Sequence, residues 1–177
     1  MFKFSSNCNF TEKNIISLLY QKGLMTSVDH KNQDFYNIQI SLFDKSLEIS
    51  IDNDNLNFSL PFQFHFFFSE LMKKLNNLSF NYTRFIYFPF KQTIISNKKE
   101  VQLRNTHNTI IKHLLLNREN GISRKELYFY IWPNDKEIQI NKLDTHLTNL
   151  KNYFLENLNL KLNIISQKNI VYLNLID

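Results

Sequence analysis

Residues 122–154 read ISRKELYFYIWPNDKEIQINKLDTHLTNLKNYF, and their apolar positions fall at helical spacing in two blocks. In the first block Ser123 stands three residues before Glu126. This is the spacing of a capping box, in which each side chain satisfies an unpaired N–H at a helix start. The helix beginning there passes through Leu127 and Ile131 and stops at Trp132, because a residue that precedes a proline, here Pro133, is pushed out of the α region. Residues 134–139 are polar and aperiodic. In the second block Leu143, Leu147, Leu150 and Phe154 form one stripe, leaving Thr145, Thr148, Asn149 and Asn152 opposite. The pattern predicts a helix with one packed face and one outward face of hydrogen-bonding side chains.

Elsewhere the pattern predicts shorter elements. Residues 2–5 read as a strand. Thr11 caps a helix that turns Ile15, Ile16, Leu18 and Leu19 inward and ends at Gly23, and residues 24–28 form a second strand. Alternation over residues 38–43, 47–51 and 56–59 gives three strands joined by Asp/Asn-rich turns. Pro61 then opens a helix with Phe64, Phe67, Phe68, Leu71, Leu75 and Leu78 as its apolar positions. Strands follow at 84–88, 93–95 and 100–103, with Asn97-Lys98 as a turn, and a helix over residues 106–117 buries Ile110, Ile111, Leu114 and Leu115. Past the second amphipathic helix, residues 164–172 read as a hairpin turning at Lys168-Asn169. The expected fold is α/β in the α+β sense, with two domains, 1–81 and 82–177.

Composition narrows the function classes. A chain of 177 residues with 43% hydrophobic content can bury a core in one ordinary domain or two small ones. No apolar run reaches the roughly 20 residues that span a bilayer, and the opening MFKFSSNCNF lacks a signal-peptide core, so the expectation is a cytoplasmic protein without a membrane. Cys8 is alone, which excludes an internal disulfide and a cysteine zinc cluster. His30, His65, His107 and His113 have no metal-ligand spacing to acids or cysteines. With no glycine-rich phosphate loop, nucleophile elbow or carboxylate pair, the reading is no enzyme, no metal and no cofactor. The chain is rich in Asn, Ile, Lys and Phe and contains no Ala, the imprint of an AT-rich genome, so overall basicity says little. Its distribution says more. Residues 1–81 hold 7 Lys+Arg against 8 Asp+Glu, and residues 82–177 hold 14 against 8, which gives −1 and +6. The positive charge lies in the half with the paired helices, where a phosphate-binding surface needs it.

Two helices joined by a short polar connection, the second with a polar outward face, have the layout of a helix-turn-helix. Here the string SRKEL…IW…LDTHLTNLK resembles the C-terminal DNA-binding domain of OmpR/PhoB-type response regulators. In that family a Ser-Arg-x-x-Leu helix ends in Val-Trp, and the second helix carries a hydrophobic-acid-x-His-hydrophobic core followed by Leu-Arg. Leu143-Asp144-Thr145-His146-Leu147 and Leu150-Lys151 occupy those places. The match covers roughly the last 95 residues, the size of one small domain. The strands over residues 84–103 resemble the small sheet that precedes the family's winged helix, and the final hairpin resembles its wing, with Asn169 and Val171 where the family has glycines. The order of elements in residues 1–81 resembles a shortened receiver, though a small α/β dimerisation domain is an equal alternative. A receiver needs Mg²⁺-holding acids, an aspartate nucleophile and a lysine before a proline. Those places read Ser5-Ser6-Asn7, Ser41-Leu42 with Asp44 nearby, and Leu60-Pro61, so phosphorylation is not expected.

The resemblance implies a sequence-specific, double-stranded-DNA-binding transcription regulator. It places Asn149 at a base edge, where an Asn pairs with adenine, and Asn141, Thr148 and Lys151 at phosphates. It sets Lys168 at the wing tip in the minor groove, and Trp132, His146, Ser166 and Tyr172 with N–H or O–H groups reaching phosphates. Lys142 joins them as a DNA-binding candidate, and Asn134, Asp135, Lys136 and Glu137 form a loop for a protein partner. The alternative is an adaptor whose winged helix docks RNA polymerase or another regulator. Asn149, Asn152 and Tyr153, standing where the family has Arg or Lys, favour it. A homodimer is compatible with either.

Overall fold

Alternation of apolar and polar residues builds the N-terminal sheet. The computed structural model describes residues 2–7, 13, 17, 36–52 and 54–174. The chain divides into two compact units, Met1–Asn77 and Leu78–Asp177. In the first, strands β1 (Phe2–Ser6), β2 (Tyr36–Leu42), β3 (Ser46–Ile51) and β4 (Asp54–Ser59) lie in the order β1-β2-β3-β4. Leu47, Ile49 and Ile51 of β3 are buried and alternate with half-buried neighbours. Helix α1 (Phe64–Asn77) buries Phe67, Leu71 and Leu75, four residues apart, and the Phe67 ring packs edge-on against Phe58 of β4 at 5.2 Å. The expected helix and strand over residues 11–28 lie outside the described residues, apart from helical backbone at Lys13 and Ser17.

The described strands of this sheet wind differently from those of a receiver. A receiver is a doubly wound sheet of parallel strands, and each parallel step needs a crossover of a dozen or more residues. Among the described residues of this unit, only β1 and β2 are parallel. Ile40 faces Ile49 and Leu47 faces Phe58 in antiparallel register, because residues 43–45 and 52–53 are too few to cross over. At the place of the receiver's acids, the Asn7 amide donates to the Leu42 carbonyl at 2.9 Å and accepts the Leu42 N–H at 2.7 Å, stapling the end of β1 to β2.

The second unit opens with an antiparallel meander, β5 (Phe80–Tyr82), β6 (Phe85–Phe88), β7 (Thr93–Ser96) and β8 (Lys99–Gln102). The pattern missed β5, whose pairing with β6 carries the sheet upstream of Tyr82. Asn97 and Lys98, with φ of 49° and 64°, make the predicted two-residue turn between β7 and β8. Helix α2 (Asn105–Leu116) follows, then β9 (Ile122–Ser123), α3 (Arg124–Ile131), α4 (Ile140–Leu158), and the hairpin β10 (Asn163–Gln167) and β11 (Ile170–Asn174). Strand β11 also pairs with β9, setting Val171 opposite Ile122 and completing a three-stranded sheet in the order β10-β11-β9. This is an α+β winged-helix arrangement. The α4 stripe Leu143, Leu147, Leu150 and Phe154 is buried as predicted, together with Leu127 and Tyr128 of α3 and Ile110, Ile111 and Leu114 of α2. Each such side chain contributes roughly 1.5–3 kcal/mol. The meander is pinned to the helices by polar contacts: Tyr87 Oη donates to Asn108 Oδ1 at 2.6 Å, and Tyr153 Oη to the Gln102 carbonyl at 2.6 Å. Among the described residues no helix is long and apolar enough to cross a membrane.

Candidate nucleic-acid interface

The capping box forms as its spacing requires. Ser123 Oγ accepts the Glu126 N–H at 3.1 Å, and Glu126 Oε2 accepts the Ser123 N–H at 3.2 Å. The next residue, Arg124, joins three elements. Its backbone N–H donates to the Asn169 carbonyl in the β10–β11 turn at 2.8 Å. Its guanidinium donates to Ser166 Oγ on β10 at 2.7 Å and pairs with Asp144 on α4. Only 14% of the Arg124 side chain is exposed, so the fork is held in a sheltered site where a charged hydrogen bond counts for more than at the surface. Sequence reasoning passed over Arg124, since its partners lie 20 and 42 residues away.

A second cluster closes the connection between α3 and α4. Asp135 accepts from Tyr128 Oη at 2.5 Å and from Lys142 Nζ at 2.8 Å. The Lys142 ammonium also stands 4.1 Å from the centre of the Trp132 ring, a cation–π contact. The Trp132 ring meets His146 at 5.1 Å and Tyr128 at 4.7 Å. The hydrogen bond from Lys142 holds the Asp135 carboxyl below its usual range and raises the Lys142 ammonium. Burial, and then the positive Lys142, lower the His146 imidazole, which favours its neutral form. Four of the predicted residues, Trp132, Asp135, Lys142 and His146, are thus brought together, and the lysine is committed to its neighbours. Asn134, Lys136 and Glu137 are exposed in the same loop.

The wing turns at Lys168 and Asn169, whose φ values of 47° and 66° make a two-residue turn of the mirror-image kind that suits strand twist. Val171, at a position where the family has glycine, is buried in β11 rather than at the tip. Tyr172 lies over Gly121, where a Cβ would come within 2.7 Å of its ring. The Tyr172 ring, half-buried, therefore packs against this glycine. Lys168 is exposed at the tip, and Lys151 is half-buried with its ammonium 3.4 Å from the Ile164 carbonyl.

The outward face of α4 holds Asn141, Asp144, Thr145, Thr148, Asn149 and Asn152, all exposed. This contains the predicted Thr145, Thr148, Asn149 and Asn152 and adds Asn141 and Asp144, the charge of the latter neutralised by Arg124. Below it, His107 of α2 is buried with Nδ1 lacking a hydrogen-bond partner, and its ring meets Tyr153 at 5.2 Å. Burial lowers His107 as well, with Arg104 adding to the effect. Among the described residues no group of three or more His, Cys, Asp or Glu side chains could hold a metal ion.

No protein-family model matches the chain, and no curated protein matches it. Among solved structures, the C-terminal domain of the nisin resistance regulator NsrR, described as a lantibiotic response regulator, is similar at 24% identity. The likeness covers 52% of this chain and 93% of that one, with a TM-score of 0.42. At that level of similarity, a functional reading rests on the side chains themselves.

Proposed function

We propose that the C-terminal unit binds double-stranded DNA, with α4 in the major groove and the β10–β11 tip against the adjacent minor groove, and that the protein regulates transcription without being phosphorylated. The observation that carries this reading is the continuous exposed polar face of α4, from Asn141 to Asn152, standing beside an exposed Lys168 turn on a scaffold braced by Arg124. The charge of +6 in residues 82–177 supports it, because phosphate contact supplies most non-specific affinity. In this reading Asn149 reads base edges, Thr148, Asn141, Lys151 and Lys168 meet the backbone, and Lys142 positions the α3–α4 loop instead of touching DNA. The N-terminal unit, with β2, β3 and β4 antiparallel, fits a dimerisation module better than a phosphorylation module.

The test is binding of the full chain to a pool of random duplexes as salt is varied. Affinity should fall with salt by about 0.9 log unit per log unit for each phosphate neutralised, and Lys168→Ala and Lys151→Ala should flatten that slope. No binding at about 50 mM salt by demonstrably folded protein would reject the reading. That result would leave the adaptor, which draws on the exposure of Ile138 (37%) and Ile140 (48%) in and beside the α3–α4 loop, apolar groups that a protein partner such as RNA polymerase would cover.

A further inference from the structure

The chemistry of the α4 face goes further than duplex binding and, resting on the reading above, names a class of site. Guanine is read in the major groove chiefly by Arg or Lys donating to O6 and N7, whereas adenine is read by the paired donor and acceptor of an Asn or Gln amide at N6 and N7. Among the six exposed residues from Asn141 to Asn152 there is no Arg or Lys. Neither of the two lysines within that span belongs to this exposed set. Lys142 is held by Asp135 and the Trp132 ring, and Lys151 is half-buried near the Ile164 carbonyl. Asp144, the group that would accept from the amino group of cytosine, carries Arg124 instead. What stays available is amide and methyl, with the Thr148 hydroxyl, which serves either base pair and discriminates neither. Asn149 and Asn152 have their amides unengaged among the described residues. Thr145 donates its hydroxyl proton to the Asn141 carbonyl at 2.8 Å, so its methyl is the group left for contact, and a threonine methyl suits the C5-methyl of thymine.

We propose that the α4 face selects A·T base pairs through the major groove, with Asn149 as the specificity-determining residue and Thr145 completing an apolar contact to thymine. The face lacks the groups that recognise G·C and presents those that recognise A·T, so the selection is direct and does not depend on groove width.

The experiment measures the affinity of the full chain for short duplexes of alternating A·T, I·C and G·C pairs at about 50 mM salt. Inosine lacks the 2-amino group of guanine, so an I·C pair shows the minor groove of A·T and the major groove of G·C, which separates the grooves. The expected result is A·T bound about 10-fold or more tighter than both I·C and G·C, a difference abolished by Asn149→Ala and turned toward G·C by Asn149→Arg. Asn149 is exposed, so neither substitution disturbs the core. Equal affinity for A·T and I·C, both above G·C, would overturn the proposal by assigning selection to the minor groove and the Lys168 tip. Equal affinity for all three would overturn it while leaving duplex binding intact, and absence of binding to any would overturn both.

Discussion

Lys112 offers the sharpest test of the packing described for the C-terminal unit. It lies in α2 with 4% of its surface exposed, and burial lowers its ammonium from 10.5 to about 8. The residue has contacts of its own, yet the loss of water outweighs what they return. Because the folded value is the lower one, between pH 8 and 10.5 the unfolded chain holds a proton that the folded chain does not, and stability rises with pH across that window. Below pH 8 both states carry the charge and the folded state bears the full penalty. At about 1.36 kcal/mol per pH unit the penalty is on the order of 3 kcal/mol. Lys112→Met keeps the length of the side chain and removes the charge. It should therefore raise stability near neutral pH by that order, which for a unit of this size is roughly 10 °C or more in Tm. Thermal unfolding of both proteins, followed by circular dichroism from neutral to alkaline pH, should show the gap closing as pH passes 8 and nearly gone at 10.5. A gap that stays constant with pH, or a variant less stable than its parent at neutral pH, would refute the reasoning.

Four further outcomes follow from the same contacts. Leu147→Ala, at a position 5% exposed beneath α4, should cost about 2–5 kcal/mol in chemical denaturation, and a smaller change would mean the stripe packs more loosely than its burial implies. Gly121→Ala should destabilise by more than about 1 kcal/mol, because φ is +70° and the added Cβ would meet Ile170 Cγ2 at 2.4 Å; unchanged unfolding would show that the wing yields there. Ser123→Ala should cost about 1 kcal/mol and Ser123→Gly only a few tenths, as expected of a side-chain cap, and equal costs would argue against that role. His107 and His146 both titrate below 6.5 when folded, so the unfolded chain gains their protons first. Stability should be complete above that pH and decline below it, and a Tm that rises on acidification would contradict the burial of these rings.

What was legible in the sequence was local. The capping box at Ser123, the stop at Trp132-Pro133, the α4 stripe and the turns at Asn97-Lys98 and Lys168-Asn169 each follow from residues within a few positions of one another, and the structure has them in place. The N-terminal winding was not legible, because alternation marks a strand without stating whether its neighbour runs parallel; loop length, three residues between β2 and β3, decides that. Strand β5 was missed because three residues are too few to show a period. In the candidate site, the outward α4 face was visible from spacing, but the fate of each polar group was not. Lys142 and Arg124 are both cations beside a polar surface, and only the positions of Asp135, Trp132, Asp144 and Ser166 reveal that each has partners within the protein.

Helix α4 divides its residues between two duties that do not overlap. Leu143, Leu147, Leu150, Phe154 and Leu158 fold the unit, while Thr145, Thr148, Asn149 and Asn152 are exposed on the other side of the helix. Exposed substitutions away from caps and networks shift stability by about half a kcal/mol or less. A lineage carrying this chain can therefore rewrite the outward four one mutation at a time while every intermediate still folds. Arg124 holds wing and helix in a single frame, so each rewritten face inherits the same aim. The fold separates what must be kept from what can drift.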